Sequence, residues 1–204
     1  MRDPIELDAE RIFESLEEHA VQYVVIGGYA GVLHGLARAT DDIDITPAPE
    51  PSNLDRLARA LRDLGARLIA PGGDDPIEWP WSAESFAQFT TMTTRTDAGD
   101  LDICLRPDAP GGRQYGYADL AKNAVVIELP PDVPTAALED VIASKEASNR
   151  DRDRATLGEF RDLLALKRSG ASEGGISRTH DRARRSGTAL SSEEILRDRD
   201  EGRR

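Results

Sequence analysis

Apolar residues recur at helical spacing near the start of the chain. Ile5, Leu7, Ile12, Phe13 and Leu16 share one side of a helical repeat and predict an amphipathic helix over residues 5–19. The mostly apolar run 21–26 predicts a buried strand. Gly27 and Gly28 break it, and Ala30, Val32, Leu33 and Leu36 resume a helical pattern, so a strand, a glycine turn and a short helix follow one another. Residues 42–46 alternate acidic with apolar or hydroxylic side chains, which is the period of a second strand. After Pro51, the series Leu54, Leu57, Ala58, Leu61, Leu64 predicts a helix closed by Gly65.

The segment 67–85 is rich in Gly, Pro and Asp and reads as loop around a short strand at Leu68 and Ile69. Residues 86–94 and 101–105 predict two antiparallel strands joined by a turn at Asp97, Ala98 and Gly99. A further strand is expected at 124–129, then two helices near 135–147 and 153–167. Together these elements describe an α/β (α+β) domain over residues 1–168, a small mixed sheet flanked by helices with two helices at its C-terminal end. From Ser169 to Arg204 the composition shifts to Gly, Ser and Arg, and the expectation is a disordered tail with one short helix at 189–199, where Ser191 and Glu194 form a capping box.

Two hundred and four residues suit one full core plus a tail rather than two ordinary domains. With 39% hydrophobic and 31% charged residues, and no apolar run near the roughly 20 residues of a membrane span, the expectation is a soluble protein with no membrane partner. Cys104 is the one cysteine and the N-terminus lacks an apolar signal segment, so a cytoplasmic location is expected. A net charge of -12 opposes a protein that coats nucleic acid electrostatically, although a local basic patch or bound cations would change the sign of an acidic pocket.

The candidate chemistry lies in two acidic strands. In the segment Thr40, Asp41, Asp42, Ile43, Asp44, Ile45, residues two apart share a face, so Asp42 and Asp44 point together while Ile43 and Ile45 enter the core. Paired carboxylates repel unless a cation lies between them, and Mg²⁺ favours such oxygen ligands. Gly99 to Leu105 repeats the alternation and turns Asp102 away from the core; if the strands are neighbours, three carboxylates converge. That is what two metals roughly 3.5–4 Å apart need for in-line phosphoryl displacement. Asp41 falls on the opposite face and Asp100 near the turn, so both are weaker candidates. Gly27 and Gly28 open a helix after a strand and can turn backbone N–H groups toward a triphosphate. Neither a dinucleotide fingerprint nor a P-loop is present.

The order of strand, glycine pair, helix, Asp42-x-Asp44 strand and later Asp102 resembles the nucleotidyltransferase superfamily of DNA polymerase beta type over about residues 20–105. The resemblance implies two Mg²⁺ ions and an NTP donor. Residues 138–153 resemble the C-terminal signature of AbiEii-like and MenT-like nucleotidyltransferases, many of them toxins of toxin–antitoxin pairs. The resemblance implies that Lys145 and an aspartate at the start of the next helix complete the catalytic set of Asp42, Asp44, Asp102, Lys145 and Asp153, with Asp42, Asp44 and Asp102 as metal ligands. Where the family often has Pro-Lys before that aspartate, this chain has Asp151 and Arg152, which leaves Asp151 and Asp153 as alternatives. Nucleotide contacts are expected from Gly27, Gly28, Arg38, Thr40 and Lys145. His34 is expected to be packed, Cys104 to be a small core-side residue, and Trp79 and Trp81 either to stack on a base or to pack under their own loop.

The expected reaction moves an NMP from an NTP to an acceptor, either a macromolecule such as a tRNA 3′ end or a protein, or a cationic antibiotic of aminoglycoside or lincosamide type. A cognate antitoxin is a further expected partner. A degenerate, non-catalytic nucleotide-binding fold is the third class, and the presence of all three carboxylates argues against it.

Overall fold

The computed structural model describes residues 6–70, 72, 73 and 75–169; the expected tail and its short helix lie outside the described residues. The chain begins with helix α1 (Ala9–Glu18), strand β1 (Tyr23–Ile26), helix α2 (Gly27–Leu33), strand β2 (Asp42–Pro47) and helix α3 (Pro51–Asp63). Strands β3 (Arg67–Ile69) and β4 (Pro76–Ile77), helix α4 (Ala83–Phe86) and strands β5 (Thr91–Thr96) and β6 (Gly99–Cys104) form the middle. A small hairpin of β7 (Asp108–Ala109) and β8 (Arg113–Gln114), helix α5 (Tyr117–Ala121), strands β9 (Val125–Ile127) and β10 (Val133–Thr135), and helices α6 (Leu138–Ser148) and α7 (Asp151–Arg168) complete it.

Eight strands make one mixed sheet in the order β4-β3-β5-β6-β2-β1-β10-β9. β1 and β2 run antiparallel, β2 and β6 parallel, β5 and β6 antiparallel. Ile43, Ile45, Leu101 and Ile103 enter one continuous core with Leu57 and Leu61 of α3 and with Ile12 and Leu16 of α1. Helices α6 and α7 pack against each other, and α6 also meets α2. The fold is thus an open mixed α/β sheet flanked by helices.

Several boundaries differ from the sequence expectation. The first helix starts only after Asp8, whose carboxylate caps Arg11 N at 3.1 Å, so Leu7 lies outside it, and Ile5 falls outside the described residues. Phe86 closes α4 rather than opening a strand; the Ser82 capping box starts that short helix, and its apolar ring is needed in the core against Trp81. The strand expected from 86 begins at Thr91. β10, the hairpin and α5 were not foreseen, because two- and three-residue strands and a five-residue helix carry no readable period. Gly65 sits just past α3 at φ +63, the left-handed stop expected of it.

Candidate active site

Parallel pairing of β2 and β6 sets Asp42 opposite Asp100 and Asp44 opposite Asp102. Because alternate residues of both strands face the core, the four carboxylates share the other face of the sheet. Asp100 is occupied: Arg95 grips it through Nε at 2.9 Å and Nη2 at 3.1 Å. Asp42, Asp44 and Asp102 form the interacting set. Burial, then the charges of Asp42 and Asp102, push the Asp44 carboxyl up to about 7. Burial, then Asp42, push Asp102 up to about 6, with the Thr93 hydroxyl and Arg152 pulling it back. Asp102 Oδ1 is buried and has no hydrogen-bond partner among the described residues. An uncompensated buried acceptor of this kind is costly, and a cation or a proton removes the cost.

The donor set fits a hard divalent cation. All three groups are oxygen donors, and two of them resist ionisation in the cation's absence. Among the described residues no three His, Cys, Asp or Glu side chains stand close enough together to hold a metal ion by themselves. Mg²⁺ does not ask for that, since it keeps several waters and takes substrate phosphates beside one or two carboxylates.

The glycine turn packs directly on this set. Gly27 has φ +67, and a Cβ there would stand 1.9 Å from Asp44 Oδ2, so neither its backbone nor its space admits a side chain. Gly28 lies against Thr40 Oγ1, which donates to Asp42 Oδ1 at 2.8 Å. Arg38 is half exposed and pairs with Glu159 of α7 at 3.6 Å.

At the C-terminal end of the domain, α6 ends at Asn149 in the left-handed region, which reverses the chain and starts α7. The reversal brings Asp153 back onto Lys145: Nζ donates to Asp153 Oδ1 at 3.1 Å, and Ser148 Oγ donates to Oδ2 at 2.5 Å. Burial opposes the charge on Asp153, but these two hydrogen bonds hold its carboxyl below the usual range. Lys145 Nζ also lies 5.1 Å from the centre of the Phe160 ring. Between the two alternatives, Asp153 is buried and meets Lys145, while Asp151 is exposed and pairs with Arg154. The charge of Lys145 is felt at Asp44, so the start of the α6–α7 turn lies within electrostatic reach of the acidic strands.

Over residues 11–201 the chain matches the family described as nucleotidyl transferase AbiEii toxin, type IV TA system. It is a member of the AbiEii nucleotidyltransferase family. The chain is therefore a nucleotidyltransferase. Among solved structures, the lincosamide antibiotic adenylyltransferase LnuA with lincomycin bound has a TM-score of 0.51 at 18% identity, covering 78% of this chain and 99% of that one, which supports the fold. ANT(2″)-Ia in complex with adenylyl-2″-tobramycin has a TM-score of 0.44 at 18% identity, over 85% of this chain and 94% of that one. No curated protein matches the chain.

Two residues of this AbiEii-family site escaped the sequence reading. Arg152 carries its charge to both Asp44 and Asp102, and Arg150 carries its charge to Cys104. Both stand in the same motif, where Arg152 was read only as part of the departure before Asp153 and Arg150 was given no role. Cys104 is partly buried and packs against the core, as expected, yet strand alternation puts it on the carboxylate face, with Sγ 4.0 Å from Asp44 Oδ1, and burial followed by that carboxylate pushes its thiol up. His34 is packed as expected, its Nε2 2.8 Å from the Ala136 carbonyl. Trp81 is buried, donates to the Ala66 carbonyl at 3.0 Å and stacks on Phe86; Trp79 lies edge-on to Phe89. Both tryptophans pack beneath their own segment. No helix among the described residues is long and apolar enough to cross a membrane.

Proposed function

We propose that this nucleotidyltransferase is Mg²⁺-dependent and moves an NMP from an NTP to a hydroxyl of an RNA or protein acceptor, breaking the α–β phosphoanhydride and releasing pyrophosphate, as expected of a toxin with a cognate antitoxin. The observation that carries the reading is the alignment of Asp44 with Asp102 across parallel strands beside Asp42, with a buried oxygen of Asp102 unpartnered. Asp42, Asp44 and Asp102 would hold the metal. Bound there, divalent cations supply positive charge to the triphosphate and acidify the attacking hydroxyl.

The chain's own groups do the rest. Gly27 and Gly28 let backbone approach the phosphates beside Asp44, and Thr40 keeps the Asp42 carboxylate oriented. Lys145, held by Asp153 and Phe160, stands as a fixed positive charge for the β- or γ-phosphate. Arg152 adds a second positive charge at the same carboxylates. In this reading Asp102 would also accept the proton of the acceptor hydroxyl.

The net charge of -12 favours a second reading, in which the acceptor is a small cationic antibiotic. One experiment separates the two. The protein is incubated with each labelled NTP, Mg²⁺ and either total RNA or a panel of aminoglycosides and lincosamides. The first reading expects label on RNA or protein from at least one NTP, and at least a hundredfold loss in Asp44→Asn and Asp102→Asn with unchanged circular dichroism. Transfer within tenfold of wild type in those variants would overturn the carboxylate assignment.

A further inference from the structure

The turn between α6 and α7 carries a hydroxyl, that of Ser148, to which the reaction proposed above gives no part. Resting on the reading that Lys145 meets the β- or γ-phosphate of the donor, we propose that Ser148 is a positioning residue, which holds Asp153 so that the Lys145 ammonium stays available to those phosphates.

The placement follows from local structure. Lys145 and Ser148 stand three apart at the end of α6 and so share one face of the helix. Asn149 then takes φ +47 and reverses the chain, and Asp153 enters the first turn of α7 with its backbone N–H on the Arg150 carbonyl at 3.0 Å. The three side chains meet there, Lys145 Nζ donating to one oxygen of Asp153 at 3.1 Å and Ser148 Oγ to the other at 2.5 Å. Ser148 has one hydroxyl proton and a second acceptor in reach, the Lys145 carbonyl at 3.3 Å. The carboxylate is both closer and charged, so it takes the proton.

Burial makes this hydroxyl hard to replace. The Lys145 and Asp153 side chains are 14% and 7% exposed, so solvent has little access to the oxygen that Ser148 serves. Without Ser148 that oxygen becomes a buried acceptor lacking its donor, which is costly. Lys145 Nζ, already at the other oxygen of the same carboxylate, is the donor at hand and would be drawn across to bridge both. An ammonium has three N–H groups, and the native contact with Oδ1 engages one of them. Bridging engages a second and turns the charge into the pair. The Phe160 ring, 5.1 Å from Nζ, closes a further side, so few directions remain for a phosphate. Asp153 anchors the lysine, and Ser148 keeps the lysine from closing on its anchor.

The test uses the full chain and a probe that requires neither the base nor the acceptor to be known. Mg²⁺ with inorganic pyrophosphate, which stands for the β- and γ-phosphates, is titrated by calorimetry into wild type, Ser148→Ala and Ser148→Thr, with Mg²⁺ alone as the control. The pyrophosphate Kd should rise about tenfold in Ser148→Ala and return to within about threefold of wild type in Ser148→Thr, which keeps the hydroxyl. The response to Mg²⁺ alone should be the same in all three, since the metal-binding carboxylates are untouched. If Ser148 only closes the last turn of α6, Ser148→Ala lowers Tm and leaves the pyrophosphate Kd unchanged, and that result overturns the proposal. Equal loss of pyrophosphate binding in Ser148→Ala and Ser148→Thr, both with wild-type circular dichroism, overturns it as well. Should Ser148→Ala not fold, Ser148→Cys, which keeps the side-chain shape and supplies only a weak donor, takes its place in the comparison. A wild-type protein whose Tm shifts with an NTP but which does not bind pyrophosphate overturns this proposal alone. One that neither shifts with any NTP nor labels any acceptor overturns the parent reading and this one with it.

Discussion

Asp44 and Asp102 are held ready to ionise only when a positive charge joins them. Their carboxyls are pushed up to about 7 and about 6, mainly by burial, against an ordinary unfolded value of about 3.9. A raised folded value means that the native state binds more protons than the unfolded chain. The stabilisation is therefore full below about pH 4 and is lost as pH rises through about 7. Metal-free protein in EDTA should show a falling Tm across that window, other titrations being shared between variants. Asp44→Asn should flatten the fall and melt higher than wild type at pH 8. Excess Mg²⁺ should remove the difference by compensating the wild-type charges. A steeper fall in Asp44→Asn, measured by thermal scans from pH 4 to 8, would show that Asp44 is not strained when ionised.

At the scale of elements, the site depends on how α2 and α7 pack around it. Gly27 at the head of α2 is in the left-handed region against Asp44, and Gly31 sits on Phe160, with an added Cβ 2.6 Å from Cζ. Phe160 is in turn the ring under Lys145. Gly27→Ala adds a left-handed cost of about 1–2 kcal/mol to a collision with a carboxylate, and should abolish transfer. Gly31→Ala leaves the carboxylates alone but displaces Phe160, and should lower kcat more than it raises the KM for NTP. Equal kinetics in Gly31→Ala and wild type would show that the ring does not position Lys145. The Lys145–Asp153 pair joins α6 to α7 with both side chains largely buried, so Lys145→Ala leaves a buried carboxylate alone and should cost on the order of 3–5 kcal/mol. The double variant with Asp153→Ala should recover part of that loss in urea unfolding.

For the whole molecule, the acidic balance makes ligand binding a stability event. Mg²⁺ with the correct NTP should raise Tm beyond Mg²⁺ alone, because a ligand that binds only the folded chain adds stability by mass action. At a hundredfold excess over Kd the gain is about 2.7 kcal/mol, or roughly 5–10 °C for a domain of this size. Differential scanning fluorimetry with millimolar Mg²⁺ and each of the four NTPs checks this. No shift with any of them would count against the proposed metal and donor.

The local pattern was enough to determine the acidic strands and their facing, the glycine turn between β1 and α2, the helix after Pro51 and the terminal helix pair. Each of these rests on periodicity or on a residue's own backbone preference, and both are written in neighbouring positions. The register that sets Asp44 beside Asp102 rather than Asp100 depends on two strands more than fifty residues apart and was decided only by packing of Ile43, Ile45, Leu101 and Ile103 into one core. The same is true of Arg95, which cancels Asp100, and of Glu159, which pairs with Arg38. Asp153 rather than Asp151 reaches Lys145 because the left-handed turn at Asn149 sets the rotation of α7 against α6. Sequence spacing states which side chains share a face of one element. Which faces meet is a property of the assembled core, where burial and long-range charge act between residues that no local pattern connects.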